Sequence, residues 1–168
     1  MQTATLVPVE EYLEAHYQDG DREYLDGQIL ERTMGEIDHG DLQGSIYYYV
    51  RSRYGGRFWV AVEVRLQISS SRFRVPDLVV VEGSRPPGRV LTLPPLLVIE
   101  VLSRDDRAED IQERIDDYLG CGVRFVWVVN PRTRRGWVHT AEGSREAKDG
   151  VLRTAEPALE VPLAELFD

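Results

Sequence analysis

Two carboxylates stand where the surrounding sequence is apolar. Glu100 interrupts Leu96-Leu-Val-Ile-Glu-Val-Leu102, and Asp77 opens Leu78-Val-Val-Val81 directly behind Pro76. Burying a lone charge costs on the order of several kcal/mol, so each carboxylate needs a counter-ion, a hydrogen-bond network or a metal. If the two segments are antiparallel neighbours, the start of one lies beside the end of the other. Asp77 and Glu100 then converge. Such an oxygen pair suits Mg²⁺, or Mn²⁺ in its place, because Mg²⁺ takes one or two carboxylates together with waters and phosphate oxygens. An ion held this way activates water and neutralises charge on a scissile phosphate. A plainer reading stays open. Pro-Asp often just begins a strand, and a strand Glu often pairs with an arginine, of which this chain has 19 against the single lysine Lys148.

The elements that must position the pair are legible as hydrophobic periods. Pro8 sits at a helix start, with Val9, Tyr12, Leu13 and His16 following at helical spacing. Arg22 to Glu31 reads as a hairpin around Asp26-Gly27. Leu42, Ile46, Tyr49, Val50 and Arg53 recur at three and four, with Asp38 and Asp41 as an expected capping box and Gly55-Gly56 as the stop. Phe58 to Ile68 alternates and predicts one long strand. Pro76 to Val81 and Leu96 to Leu102 are buried strands. Ser103 with Asp106 predicts a cap for a helix carrying Ala108, Ile111, Ile115, Tyr118 and Leu119, which Gly120 or Gly122 ends. Phe125 to Val129 is a further strand. Gly136 to Thr140 and Val151 to Thr154 are expected to pair as a hairpin, and Pro162 to Phe167 to form a last helical turn. The order helix, strands, helix, strand is that of a mixed α/β domain with a central sheet.

Length and composition bound the rest. A chain of 168 residues fits a single domain over 1–168 with one sizeable core. The net charge of −9 weighs against a nucleic-acid binder, which normally presents a basic patch. Cys121 is the one cysteine, so no disulfide forms within the chain, and its place between two glycines suits a turn residue better than a thiol nucleophile. The three histidines His16, His39 and His139 lie far apart. The first residues lack the pattern of a signal peptide, and no stretch is long and apolar enough to span a membrane. A cytoplasmic protein with no membrane partner is the expectation.

Val75-Pro-Asp77 followed across a loop by Leu97-Val-Ile-Glu-Val-Leu-Ser103 resembles the paired motif of PD-(D/E)XK nucleases. Tyr118-Leu-Gly-Cys-Gly-Val-Arg-Phe-Val-Trp-Val-Val-Asn-Pro131 is similar to the Uma-type family of bacterial restriction endonucleases, as are Glu23-Tyr-Leu-Asp-Gly27 and the following His39. The likeness is clearest from Val9 to Pro131. It implies a restriction-endonuclease-like core: a central mixed sheet flanked by helices, with extra N- and C-terminal hairpins. It also implies Mg²⁺-dependent cleavage of DNA phosphodiester bonds, with Asp77 and Glu100 as metal ligands and His39 lining the site. The superfamily expects a lysine two residues after the glutamate, where this chain has Leu102. The Uma-type lysine stands instead on the next helix, four residues before the tyrosine, and here that residue is Arg114.

The exchange matters chemically. Arginine stays protonated, so it stabilises charge but cannot serve as a base. Arg114 is therefore either a catalytic cation or a salt-bridge partner of the acidic pair. Arg107, Ile111, Arg114 and Tyr118 share a spacing of three and four, which places Arg107 one turn behind. Glu23, Glu31 and Gln43 are further candidates to support the site, with Glu63 behind them. Three functions compete. One is a metal-dependent DNA endonuclease, for which a homodimer is the expected assembly. Another is a catalytically inactive nuclease-fold module for binding or regulation, which predicts Arg114 salt-bridged into the acidic pocket. The last is an oligomer built on Phe58, Trp59, Trp127 and Trp137, residues that core packing explains equally well.

Overall fold

A computed structural model describes residues 5–18, 20–32 and 35–167. Helix α1 (Val9–Glu14) follows Pro8, whose fixed φ of −61° suits a helix start, and it ends before His16. Strands β1 (Arg22–Leu25) and β2 (Gln28–Glu31) form the expected hairpin, with Asp26 (φ 51°) and Gly27 (φ 93°) at the turn. Both central residues of a type I′ turn need positive φ, which Asp-Gly tolerates best.

Helix α2 (Ile37–Tyr54) is followed by β3 (Phe58–Val62), β4 (Leu66–Ser69), β5 (Arg72–Arg74), β6 (Leu78–Glu82) and β7 (Leu97–Val101). Helix α3 (Ala108–Cys121) then crosses to β8 (Phe125–Asn130), and β9 (Arg135–Thr140), β10 (Gly143–Glu146), β11 (Val151–Thr154) and β12 (Leu159–Pro162) complete the order before a short 3-10 turn at Leu163–Glu165. The central sheet runs β10-β9-β8-β7-β6-β3. The pair β7–β8 is parallel and the other pairs are antiparallel, so the sheet is mixed. A parallel pair needs a crossover, which α3 supplies.

Alternation along the strands sorts the core into two faces. Leu78, Val80, Leu97, Ile99 and Val101 pack with Leu42, Ile46 and Val50 of α2. Val79 and Val98 pack with Ile115 and Tyr118 of α3. The hairpin β11–β12 covers the α2 side through Leu152, Leu159 and Val161. A second sheet, β2-β1-β5-β4, carries α1 over Tyr12, Tyr24 and Phe73, with Tyr12 and Tyr24 stacked at 5.0 Å. Phe58 and Trp127 are buried in the core, so neither is exposed to form a partner face.

Four sequence expectations change. The long strand 58–68 is two strands in different sheets, broken where Glu63 turns to φ 51°. Apolar alternation persists across the break because Leu66 still points into the α3-side core. The period records the pleat but not the change of partner sheet. Helix α2 is preceded by Glu36 at its cap position, which makes no side-chain cap hydrogen bond, so Asp38 and Asp41 form no capping box. Asp106 Oδ2 accepts the Ser103 N–H at 2.7 Å in a turn that precedes α3, whose cap position is Arg107. The C-terminal pairing is β9 with β10 and β11 with β12. A tight turn after Thr140 uses Gly143 at φ 142° and returns the chain at once. Gly122 at φ 108° ends α3 as expected. Among the described residues no helix is long and apolar enough to cross a membrane.

Candidate active site

Strands β6 and β7 pair antiparallel with Leu78 opposite Ile99. One further step along that register sets Asp77 across from Glu100. The alternation of the two strands also gives them one side: Asp77 shares the parity of Val79, and Glu100 that of Val98, both on the α3 face. Both carboxylates are buried, at 3% and 2% exposure.

Each carboxylate is held by a different set of donors. Asp77 Oδ2 accepts the Val101 N–H at 2.7 Å and lies 3.2 Å from His39 Nε2. Asp77 Oδ1 takes Arg32 Nη2 at 2.7 Å. The Asp77 carbonyl accepts Gln43 Nε2 at 2.9 Å and the Glu63 N–H at 3.2 Å. Glu100 Oε1 accepts the Tyr118 hydroxyl at 2.5 Å, and its Oε2 lies 3.4 Å from Arg114 Nη1. Helix α3 brings Arg114 and Tyr118 to Glu100 because four residues make about one turn. Helix α2 brings His39 and Gln43 to Asp77 by the same spacing. The groups open on a cavity of about 50 Å³ lined by Arg32, His39, Glu63, Asp77, Glu100 and Arg114. One water needs roughly 10–15 Å³ of such volume, so the cavity has room for a few waters or a hydrated ion.

The surroundings push the two carboxyls apart. Burial drives Asp77 upward, but the His39 hydrogen bond, the charges of His39 and Arg32 and the Val101 N–H outweigh it and hold the group below the usual carboxylate range. Glu100 goes the other way. Burial first, then the Asp77 charge, raise it to about 8 against the pull of Arg114 and Tyr118. His39 is raised by its hydrogen bond to Asp77 despite burial. One carboxylate is thus firmly ionised and its neighbour is poised to hold or lose a proton near neutrality, a contrast typical of functional carboxylate pairs.

Asp77, Glu100, Arg114 and His39 therefore meet in one cluster, with Gln43 gripping the backbone of Asp77. Glu23 is buried behind Arg114, its Oε2 at 3.9 Å from Arg114 Nη2 and 2.9 Å from Arg74 Nη1. Glu31 and Arg107 stand elsewhere. Glu31 is exposed and faces Arg22 at 3.2 Å. Arg107 is 70% exposed beside Glu109. Its backbone is extended at φ −89°, ψ 140°, so the helical face does not reach back to it. Arg32 is a site residue that sequence reasoning missed. It follows a hairpin strand with no periodicity to mark it, and only the fold turns it toward Asp77. Glu63, the weakest sequence candidate, lines the cavity and lies 3.4 Å from Arg32 Nη1.

The donor set fits a hydrated divalent ion rather than a caged one. Among the described residues no three His, Cys, Asp or Glu side chains group closely enough to hold a metal by themselves. Two carboxylates at a small polar cavity match the way Mg²⁺ binds, through one or two protein oxygens with waters and substrate phosphates.

The fold recurs in a crystal structure from Anabaena variabilis ATCC 29413 described as "a putative nuclease belonging to DUF820". It superposes with a TM-score of 0.81 at 20% identity, covering 96% of this chain and 97% of that one. No curated protein matches the chain. The sequence model of the Uma2 family, described as "Putative restriction endonuclease", matches residues 9–166. The chain belongs to that family.

Proposed function

We propose that this protein is a Mg²⁺-dependent endonuclease that hydrolyses DNA phosphodiester bonds, with Mn²⁺ able to replace Mg²⁺. The observation that carries this reading is the meeting of Asp77 and Glu100 at one polar cavity where the central strands β6 and β7 of the sheet begin and end. Asp77 and Glu100 would hold the ion. When bound, it supplies a more acidic water and neutralises charge on the phosphate. Tyr118 fixes Glu100 by a hydrogen bond within the core. Val101 and His39 fix Asp77 Oδ2. Arg114, always protonated, stabilises negative charge developing on the phosphate and takes no proton. His39 is biased toward imidazolium by Asp77, so it serves as a donor rather than a base while that contact lasts.

The test is nicking of supercoiled plasmid in Mg²⁺ or Mn²⁺ by the full chain. Asp77→Asn and Glu100→Gln are expected to abolish it with the fold intact by circular dichroism. Folded protein that cleaves neither double- nor single-stranded DNA in either metal overturns the reading.

A specific observation favours a second reading. Arg32 on Asp77 and Arg114 on Glu100 already set a guanidinium against each carboxyl group. Such an arrangement suits a nuclease-fold module that binds or regulates without cutting. It predicts no heat of metal binding in calorimetry.

A further inference from the structure

Arg32 directly follows β2, yet its side chain is only 14% exposed. Arginine seldom gives up water without a strong partner. Here the guanidinium is clamped between two carboxylates: Nη2 lies 2.7 Å from Asp77 Oδ1 and Nη1 lies 3.4 Å from Glu63 Oε1. Glu63 reaches this place from a left-handed backbone, φ 51°, which is costly for a residue with a Cβ. Gln43 steadies the same corner, donating to the Asp77 carbonyl at 2.9 Å and to Glu63 Oε1 at 3.5 Å.

The two oxygens of Asp77 are not equally free. Oδ2 is tied to the backbone N–H of Val101, which the β-sheet fixes in place. Oδ1 is held by Arg32, on a flexible side chain. A cation that binds Asp77 has Oδ1 as its more open oxygen and meets the Arg32 guanidinium there, so the two positive charges repel at close range in a cavity that Arg114 and His39 also line. We propose that Arg32 is a built-in counter-cation that competes with a divalent metal ion for Asp77. This rests on the reading that Asp77 and Glu100 hold such an ion. In the metal-free protein Arg32 supplies the positive charge that offsets buried Asp77. Its release is the cost of loading the site, and that cost weakens metal affinity.

The experiment is calorimetric titration of Mn²⁺ into the EDTA-stripped full chain. Wild type is compared with Arg32→Gln, Arg32→Lys and Asp77→Asn, each checked for folding by circular dichroism. Arg32→Gln removes the competing charge and is expected to bind Mn²⁺ at least about tenfold tighter. Arg32→Lys keeps the charge and is expected to stay near wild type. Asp77→Asn is expected to lose binding. Wild type binding Mn²⁺ as tightly as Arg32→Gln, or more tightly, overturns the competition alone. No binding in either folded protein overturns the metal reading with it. Where Arg32→Gln does not fold, the wild-type chain gives the answer. Its Arg32 Nε–H NMR resonance, assigned by its loss in Arg32→Lys, is expected to shift as Mg²⁺ is added. A resonance unmoved at saturating Mg²⁺ overturns the proposal.

Discussion

Replacing Glu100 by glutamine should flatten the pH dependence of stability in metal-free protein. Glu100 is 2% exposed, and burial with the nearby Asp77 charge raises its pKa from 4.5 to about 8. Between those values the native state holds a proton that the unfolded chain has lost. Stability then falls as pH rises, because the native state binds more protons. The contribution is fully present below 4.5, declines toward about 8 and is gone above. At about 1.4 kcal/mol per pH unit, the largest possible loss is about 5 kcal/mol. His39 acts in the same direction, since its hydrogen bond to Asp77 raises its pKa: its share is full below about 6.5 and is lost as pH rises through the folded value. Asp77 acts in a separate window, losing stability only as pH falls below the usual carboxylate range. The assay is urea unfolding in EDTA at pH 5, 6, 7 and 8. Wild type should weaken across that range by up to several kcal/mol, and Glu100→Gln should keep only the slope that His39 supplies. Parallel curves for the two proteins would refute the reasoning, because Glu100 would then titrate as an ordinary surface acid.

Two further outcomes follow from the same geometry. Tyr118→Phe removes the hydroxyl that donates to buried Glu100, and an unsatisfied buried acceptor costs about 1–3 kcal/mol; urea unfolding at pH 8, where Glu100 is most ionised, should show it. A variant as stable as wild type would mean the hydrogen bond is not formed. Gly122→Ala places a Cβ at φ 108° and 3.2 Å from Pro94 Cγ, so it should lower stability by about 1 kcal/mol or more while leaving nicking intact. An unchanged melting temperature would count against the left-handed end of α3.

The pair Asp77 and Glu100 was readable because charge inside apolar sequence is a local anomaly. Strand order and the loop between them then suggested antiparallel neighbours, which the register bears out. Arg114 was readable from the family resemblance, and helical spacing set it on one face with Tyr118, whose hydrogen bond to Glu100 the sequence did not indicate. The same rule failed at Arg107, where the chain is not yet helical. The hairpin at Asp26-Gly27 and the stop at Gly122 were legible from single residues whose backbone freedom is written in their type.

Other features have no local signature. Arg32 is one arginine among 19, and nothing beside it in sequence marks it. It becomes part of the site only because the second sheet brings the end of β2 to the start of β6 in the first. The split of residues 58–68 into two strands depends on which sheet each half joins, and an alternating period is the same in both. Glu23 and Glu31 stood as equal candidates on one hairpin, yet only Glu23 is buried, against Arg74 and near Arg114. By itself the sequence determined the secondary periods, the acidic pair and the family. Tertiary structure alone decided which of many like charges face one another, because ion pairing depends on distance through space, and spacing along the chain reports that only within one helix or one strand pair.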